Sequence, residues 1–142
     1  MGRFLSKLHP GVVSAVVTAA VLYYSLFPHP AGAGYVMLFE GIDKVFHFVM
    51  YFAMAGAYIF DYALYRYPRG MVLAVELLIV ALVIAIGGVI EVVQGLSGYR
   101  SADILDFAAD AAGAVAAYLL MKFCFLSLLL KYFTHAGENE AK

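Results

Sequence analysis

Charge is scarce in this chain. Only 13% of its 142 residues are Asp, Glu, Lys or Arg, against 65% hydrophobic residues and a mean hydropathy of +0.89. A soluble domain of this length needs far more polar surface, so a water-soluble globular fold is excluded and the chain is read as an integral membrane protein. No basic stretch is present and the formal net charge is −1. That excludes a nucleic-acid partner, because neutralising phosphates takes clustered Lys and Arg. Cysteine occurs once, at Cys124, so an internal disulfide is impossible and cysteine usage gives no redox compartment. Tryptophan is absent, which leaves an interfacial aromatic belt to tyrosines such as Tyr23, Tyr24, Tyr62 and Tyr65. There is no internal repeat and no tight metal-ligand signature such as H-E-x-x-H.

What is present is a set of four apolar runs. They predict spans over about 11–27, 43–62, 71–96 and 101–122, each close to the roughly 20 residues that cross the hydrocarbon only if its terminal polar residues lie in or near the membrane. Pro28 and Pro30 end the first run, and Pro68 with Gly70 marks a turn between the second and third. Ser101 is placed to cap the fourth helix, with Asp103 in its first turn at the positive end of the helix dipole. The stretch over about 123–133 exceeds a single crossing once Lys122 sits at the interface. It reads as a helical extension on the inner surface or as the continuation of one tilted helix, and a polar tail begins at about 134. The expected fold class is all-α: a single-domain, four-transmembrane-helix bundle. Arg3, Lys7, Arg66, Arg69, Lys122 and Lys131 all fall on one side of such a bundle. The positive-inside rule then makes it a multi-pass cell-membrane protein with both termini cytoplasmic. The basic start and apolar run also resemble a signal peptide, but no small-residue cleavage site follows.

Three polar clusters interrupt the apolar runs: Asp43, Lys44 and His47; Glu91 and Gln94; and Arg100, Asp103, Asp106 and Asp110. In this topology all three lie at the outer level. At about 100° per residue, Asp43, His47 and Tyr51 share one helix stripe, Gly87, Glu91 and Gln94 a second, and Asp103, Asp106, Asp110, Gly113 and Ala117 a third. A carboxylate at mid-membrane costs about 2.5 to 3.5 kcal/mol on insertion scales, so these stripes should face inward into one wet pocket. Gly87, Gly113 and Ala117 would let the backbones approach closely. Glu76, on the same face as Glu91 but near the other end, is expected to pair with Arg66 or Arg69.

The spacing Asp43-Lys44-x-x-His47-Phe48, Glu91-x-x-Gln94 and Arg100-x-x-Asp103-x-x-Asp106-x-x-x-Asp110-x-x-Gly113 resembles the VanZ-like family, from Asp43 to about Tyr118, as do the size and the number of spans. Asp110 departs from the pattern, since members often carry Asn there, and an amide can donate a hydrogen bond that an ionised carboxylate cannot. The family is named for a protein linked to resistance toward the glycopeptide teicoplanin. The resemblance therefore implies a cell-envelope role with a possible bearing on antibiotic resistance and glycopeptide susceptibility, but it fixes no reaction.

Three functional readings remain open. In the first, the pocket recognises, and can modify, an anionic lipid or lipid-linked envelope intermediate. Lys44, Gln94, Arg100, Asp103 and Asp110 then serve as binding residues, with Arg suited to bidentate phosphate contacts. In the second, the protein is an intramembrane hydrolase or transferase whose His47, poised by Asp43, acts as base or nucleophile while Glu91 or Asp106 serves as acid. His47 with Glu91, Asp103 and Asp106 would also make an oxygen-rich site suited to Mg, Mn or Zn, although with one candidate histidine the sequence assigns no metal and no cofactor. In the third, the acidic face is structural or passes protons or cations, which the uncharged stretch Leu77 to Ile90 disfavours. Each cluster has a plain structural alternative: a locking hydrogen bond for Asp43 and His47, interfacial residues for Glu91 and Gln94, and a dipole partner for Asp103. Oligomeric state is not legible.

Overall fold

A computed structural model describes residues 9–27, 41–66, 69–98 and 102–125. Within them the chain forms helix α1 (Val12–Leu26), α2 (Ile42–Arg66), α3 (Leu73–Ser97) and α4 (Ile104–Leu120), and α4 runs on into one π-helical turn, Met121–Phe125. No strand occurs among the described residues, as expected in a medium without water, where a backbone group left unpaired costs several kcal/mol and helices pair their own. Helices α2, α3 and the stretch Ile104–Phe123 are long and apolar enough to cross a membrane. Helix α1, with 15 residues, rises only about 22 Å and is the short member of the bundle.

The outer surface is as apolar as the core. Leu78, Val89, Val92, Leu96 and Ile104 are exposed, whereas His47, Asp61, Glu76, Glu91, Asp106 and Asp110 are buried. A surface of this kind is solvated by acyl chains, and the chain is an all-helical membrane bundle. Tyr51, Met54, Ala55, Val83, Ala114 and Ala117 fill the centre. Small residues set the helix spacing: a Cβ added at Gly113 would lie 2.3 Å from the Phe48 carbonyl oxygen and 3.0 Å from the Phe52 nitrogen, so the backbones of α2 and α4 touch there. Helix α3 stops at Gly98, whose φ of 73° lies in the left-handed region that glycine adopts without strain.

Polar side chains lock the end of the bundle where α1 and α3 begin. Asp61 Oδ2, on α2, accepts from both the backbone N–H and the hydroxyl of Ser14 at 2.8 Å, which satisfies a donor in the first turn of α1. Glu76 accepts from Lys122 Nζ rather than from Arg66 or Arg69. Lys122, in the π-helical turn that follows α4, reaches the foot of α3 in place of the arginines, while Arg66 Nε donates to the Gly70 carbonyl at 2.9 Å and closes the turn between α2 and α3. The start of α4 also differs from expectation. Asp103 is itself the N-cap, its side chain accepting from the Leu105 N–H at 2.8 Å, and Asp106 takes the first-turn position because the helix begins at Ile104. Ser101 and the stretch beyond Phe125 lie outside the described residues, and up to Phe125 the chain continues α4 as one helix.

Replacing Gly113 by Ala should overpack the α2–α4 contact and cost about 1 to 3 kcal/mol, seen as a lower Tm in detergent. Gly56→Ala, with nothing within 4 Å of the added Cβ, should stay at or above the wild-type Tm. Equal melting of the two variants would refute the close-approach reading.

Candidate functional site

At the opposite end, the first turns of α2, the last turns of α3 and the first turns of α4 meet around His47. The imidazole is 2% exposed, and Glu91, Asp106 and Asp110 are 5%, 5% and 0% exposed. His47 Nδ1 lies 2.9 Å from Asp110 Oδ1. A ring nitrogen facing a carboxylate carries the proton, so Nδ1–H donates to Asp110 and the tautomer is set. Glu91 Oε1 is 3.7 Å from Nδ1, and Asp106 Oδ2 is 3.8 Å from Nε2. Both separations exceed a hydrogen bond. The Asp103 backbone N–H donates to Glu91 Oε2 at 3.2 Å, tying the end of α3 to the start of α4.

One layer toward the surface, the half-buried Lys44 collects three carboxylates. Its Nζ donates to Asp43 Oδ2 at 3.1 Å, Asp103 Oδ2 at 3.0 Å and Asp106 Oδ1 at 3.2 Å. Asp106 therefore bridges the layers, with one oxygen on the lysine and the other facing the imidazole.

Of the residues singled out in the sequence, Asp43, Lys44, His47, Glu91, Asp103, Asp106 and Asp110 come together in this way. Gln94 is buried but faces elsewhere: its Nε2 donates to the Ser25 carbonyl at 2.8 Å, where it ties α3 to the end of α1. Arg100 lies outside the described residues. The carboxylate that orients His47 is Asp110, not Asp43, because the histidine ring points across to α4 while Asp43, in the first turn of α2, turns to the neighbouring Lys44. Sequence reasoning missed the groove beside the cluster, about 380 Å³ in volume and lined by Gly88, Val92, Ala102, Ile104 and Phe107 together with Glu91 and Asp103. Its signal was apolar, and apolar residues in this chain are everywhere.

Chemically the cluster offers a dry imidazole with one nitrogen held by a carboxylate and the other without a hydrogen-bond partner among the described residues, the arrangement of an oriented general base or of a metal ligand. His47, Glu91 and Asp106 each offer one ligand atom within 4.8 Å of the others, as do Asp43, Asp103 and Asp106. The second set already has the Lys44 ammonium at its centre.

Asp103 stands outside the spans, and its carboxyl is held below the ordinary range first by the Leu105 N–H and then by Lys44. A depressed folded value means that the group stabilises the fold above its unfolded pKa of about 3.9, and that this stabilisation is lost as pH falls through the lower folded value. Asp103→Asn retains a capping side chain but loses the charge. Its Tm should fall below wild type at pH 7, and the gap should close as the medium is brought below about pH 4. A gap of constant size across that range would contradict the assignment.

Neither the curated proteins nor the solved structures yield a match to this sequence. The family model described as VanZ/LLP1 matches residues 4–127, a stretch that takes in all four helices and every member of the His47 cluster. The chain belongs to the VanZ/LLP1 family.

Proposed function

We propose that this membrane protein recognises, and modifies, the polar head of an anionic lipid or lipid-linked envelope intermediate, with the apolar tail lying in the groove between α3 and α4. The observation that carries the reading is Glu91, which belongs at once to the wall of that groove and to the buried His47 cluster. A tail resting on Gly88, Val92, Ile104 and Phe107 would place the group attached to it against Glu91 and Asp103. The tail is already in hydrocarbon, so moving it from the bilayer into the groove gives little hydrophobic drive, and selectivity rests on the contacts the head makes beside Glu91 and Asp103. His47, oriented by Asp110, is the base of this reading, which favours a hydrolase or transferase over a passive binder. A proton or cation path finds no support in α3, whose stretch from Leu77 to Ile90 carries no ionisable side chain.

Lys44 enters the proposal in a changed role. Three carboxylates already surround its ammonium, so it braces the acidic residues and is a poor sole receptor for an anion. In the proposed orientation the cluster opens toward the outer leaflet and both termini are cytoplasmic, a reading supported by Arg66, Arg69 and Lys122 at the other level. An effect on glycopeptide susceptibility would be a consequence of this lipid chemistry.

Purification in mild detergent followed by mass spectrometry of co-purifying lipids tests the reading. Wild type should carry a defined lipid class. Gly88→Leu, whose added side chain meets Phe107 and fills the groove, should lose most of it, whereas His47→Ala should keep the lipid and abolish its turnover. A lipid content indistinguishable from that of an unrelated helical membrane protein would remove the proposal.

A further inference from the structure

We propose that His47, Glu91 and Asp106 bind a first-row divalent cation, Zn²⁺ or Mn²⁺ in class, at the floor of the cluster. The proposal rests on the lipid-modifying reading and deepens it: it supplies the positive charge which that reading lacks, and it changes His47 from base to metal ligand, because Nδ1 is on Asp110 and Nε2 has only one lone pair to give.

Each of the three side chains has one atom committed and one directed inward. His47 Nδ1 is on Asp110, Glu91 Oε2 is on the Asp103 N–H, and Asp106 Oδ1 is on Lys44. The remaining atoms tell the other half. Among the described residues His47 Nε2 and Glu91 Oε1 are buried without a hydrogen-bond partner; Asp106 Oδ2 faces Nε2 at 3.8 Å, Glu91 Oε1 lies 3.7 Å from Nδ1, and each of the three residues offers one ligand atom within 4.8 Å of the others. With the proton on Nδ1, Nε2 presents a lone pair to a carboxylate oxygen in a site from which water is largely excluded. Two such acceptors repel each other unless a proton or a metal cation lies between them. A proton on Nε2 would make an ion pair with Asp106 at 3.8 Å but no hydrogen bond. A metal ion needs only about 2.0 to 2.2 Å to each ligand, and a separation of 3.8 Å fits two ligands on one ion with an open angle.

The surroundings agree with this assignment. Asp110 on the far nitrogen repeats the carboxylate–histidine–metal relay that fixes the ring and raises its basicity. Among the described residues, Lys44 is shared by Asp43, Asp103 and Asp106, while Glu91 and Asp110 face His47, so the carboxylates outnumber the cations there even with His47 protonated. One imidazole and two carboxylates suit Zn²⁺ or Mn²⁺ better than Mg²⁺, which favours an all-oxygen octahedron and keeps its waters. A cation held by three protein ligands also retains open positions, and these are where a phosphate or ester oxygen of the bound head would coordinate.

The full chain, carrying an affinity tag free of histidine and purified without chelator, should contain about one Zn or Mn per chain by elemental mass spectrometry. After EDTA treatment, Zn²⁺ or Mn²⁺ should raise the Tm and Mg²⁺ should not, and Mn²⁺ should give a bound-state electron paramagnetic resonance signal. His47→Ala, Glu91→Gln and Asp106→Asn should each abolish stoichiometric binding. Asp110→Asn should weaken it about 10- to 100-fold, and Asp43→Asn should leave it unchanged. The conservative Gln and Asn replacements, checked for a monodisperse elution profile, keep the result readable if His47→Ala fails to fold. Absence of bound metal at millimolar supply, or full binding by Glu91→Gln and Asp106→Asn, would overturn the site, as would loss of metal in Asp43→Asn alone. Metal binding is measured without lipid. Metal without lipid capture would leave this site standing and remove the lipid reading, and lipid capture without metal would do the reverse.

Discussion

The seam between α2 and α4 carries the rest of the structure. Its middle is a backbone contact that only Gly113 permits, and its end is the hydrogen bond from His47 to Asp110. Without the close approach, the ring and the carboxylate would not meet. Without their meeting, Asp110 would be an isolated charge among Tyr51, Gly87 and apolar side chains, at a cost that would remove it from the interior. Packing and electrostatics therefore act on the same interface, and Glu91 and Asp106 are brought to His47 by helices that this seam positions.

The bundle sorts polar groups by depth. Acidic residues sit near both ends of the helices, and each end answers them differently. At the end where α1 and α3 begin, Asp61 and Glu76 meet donors from Ser14 and Lys122, and the result is a joint. One oxygen of Asp61 is left over there, whereas at the other end, among the described residues, His47 Nε2, Glu91 Oε1 and Asp110 Oδ2 are buried together without partners. Incomplete satisfaction in a dry interior is the usual mark of a place awaiting something else.

Much of this was legible in the sequence. Membrane character followed from the scarcity of charge, and the meeting of Asp43, Lys44, His47, Glu91, Asp103, Asp106 and Asp110 followed from helical periodicity combined with an even alternation of spans. His47, Glu91, Asp106 and Asp110 could be chosen because an ionisable residue is expensive in hydrocarbon. The partners were less legible. Asp43 shares a stripe with His47 and so looked like its companion, but stripe arguments see one helix at a time, and the actual companion, Asp110, comes from another. Glu76 pairs in sequence with arginines nearby in the chain, but its partner, Lys122, comes from the end of α4, a contact that only the packing of α3 against α4 reveals. Gln94 kept its place in the pattern and changed its job, since a carboxamide can serve a neighbouring backbone carbonyl as readily as a ligand.

The stretch of α3 without ionisable side chains has an electrical meaning. With every titratable group of the cluster confined to one end of the bundle, a proton or ion shifted within it traverses only a small fraction of the bilayer field, whereas a full crossing is worth about 2.3 kcal/mol per 100 mV. Work done at this site would be decoupled from the membrane voltage, and its driving force would have to come from the bonds of the molecule it handles.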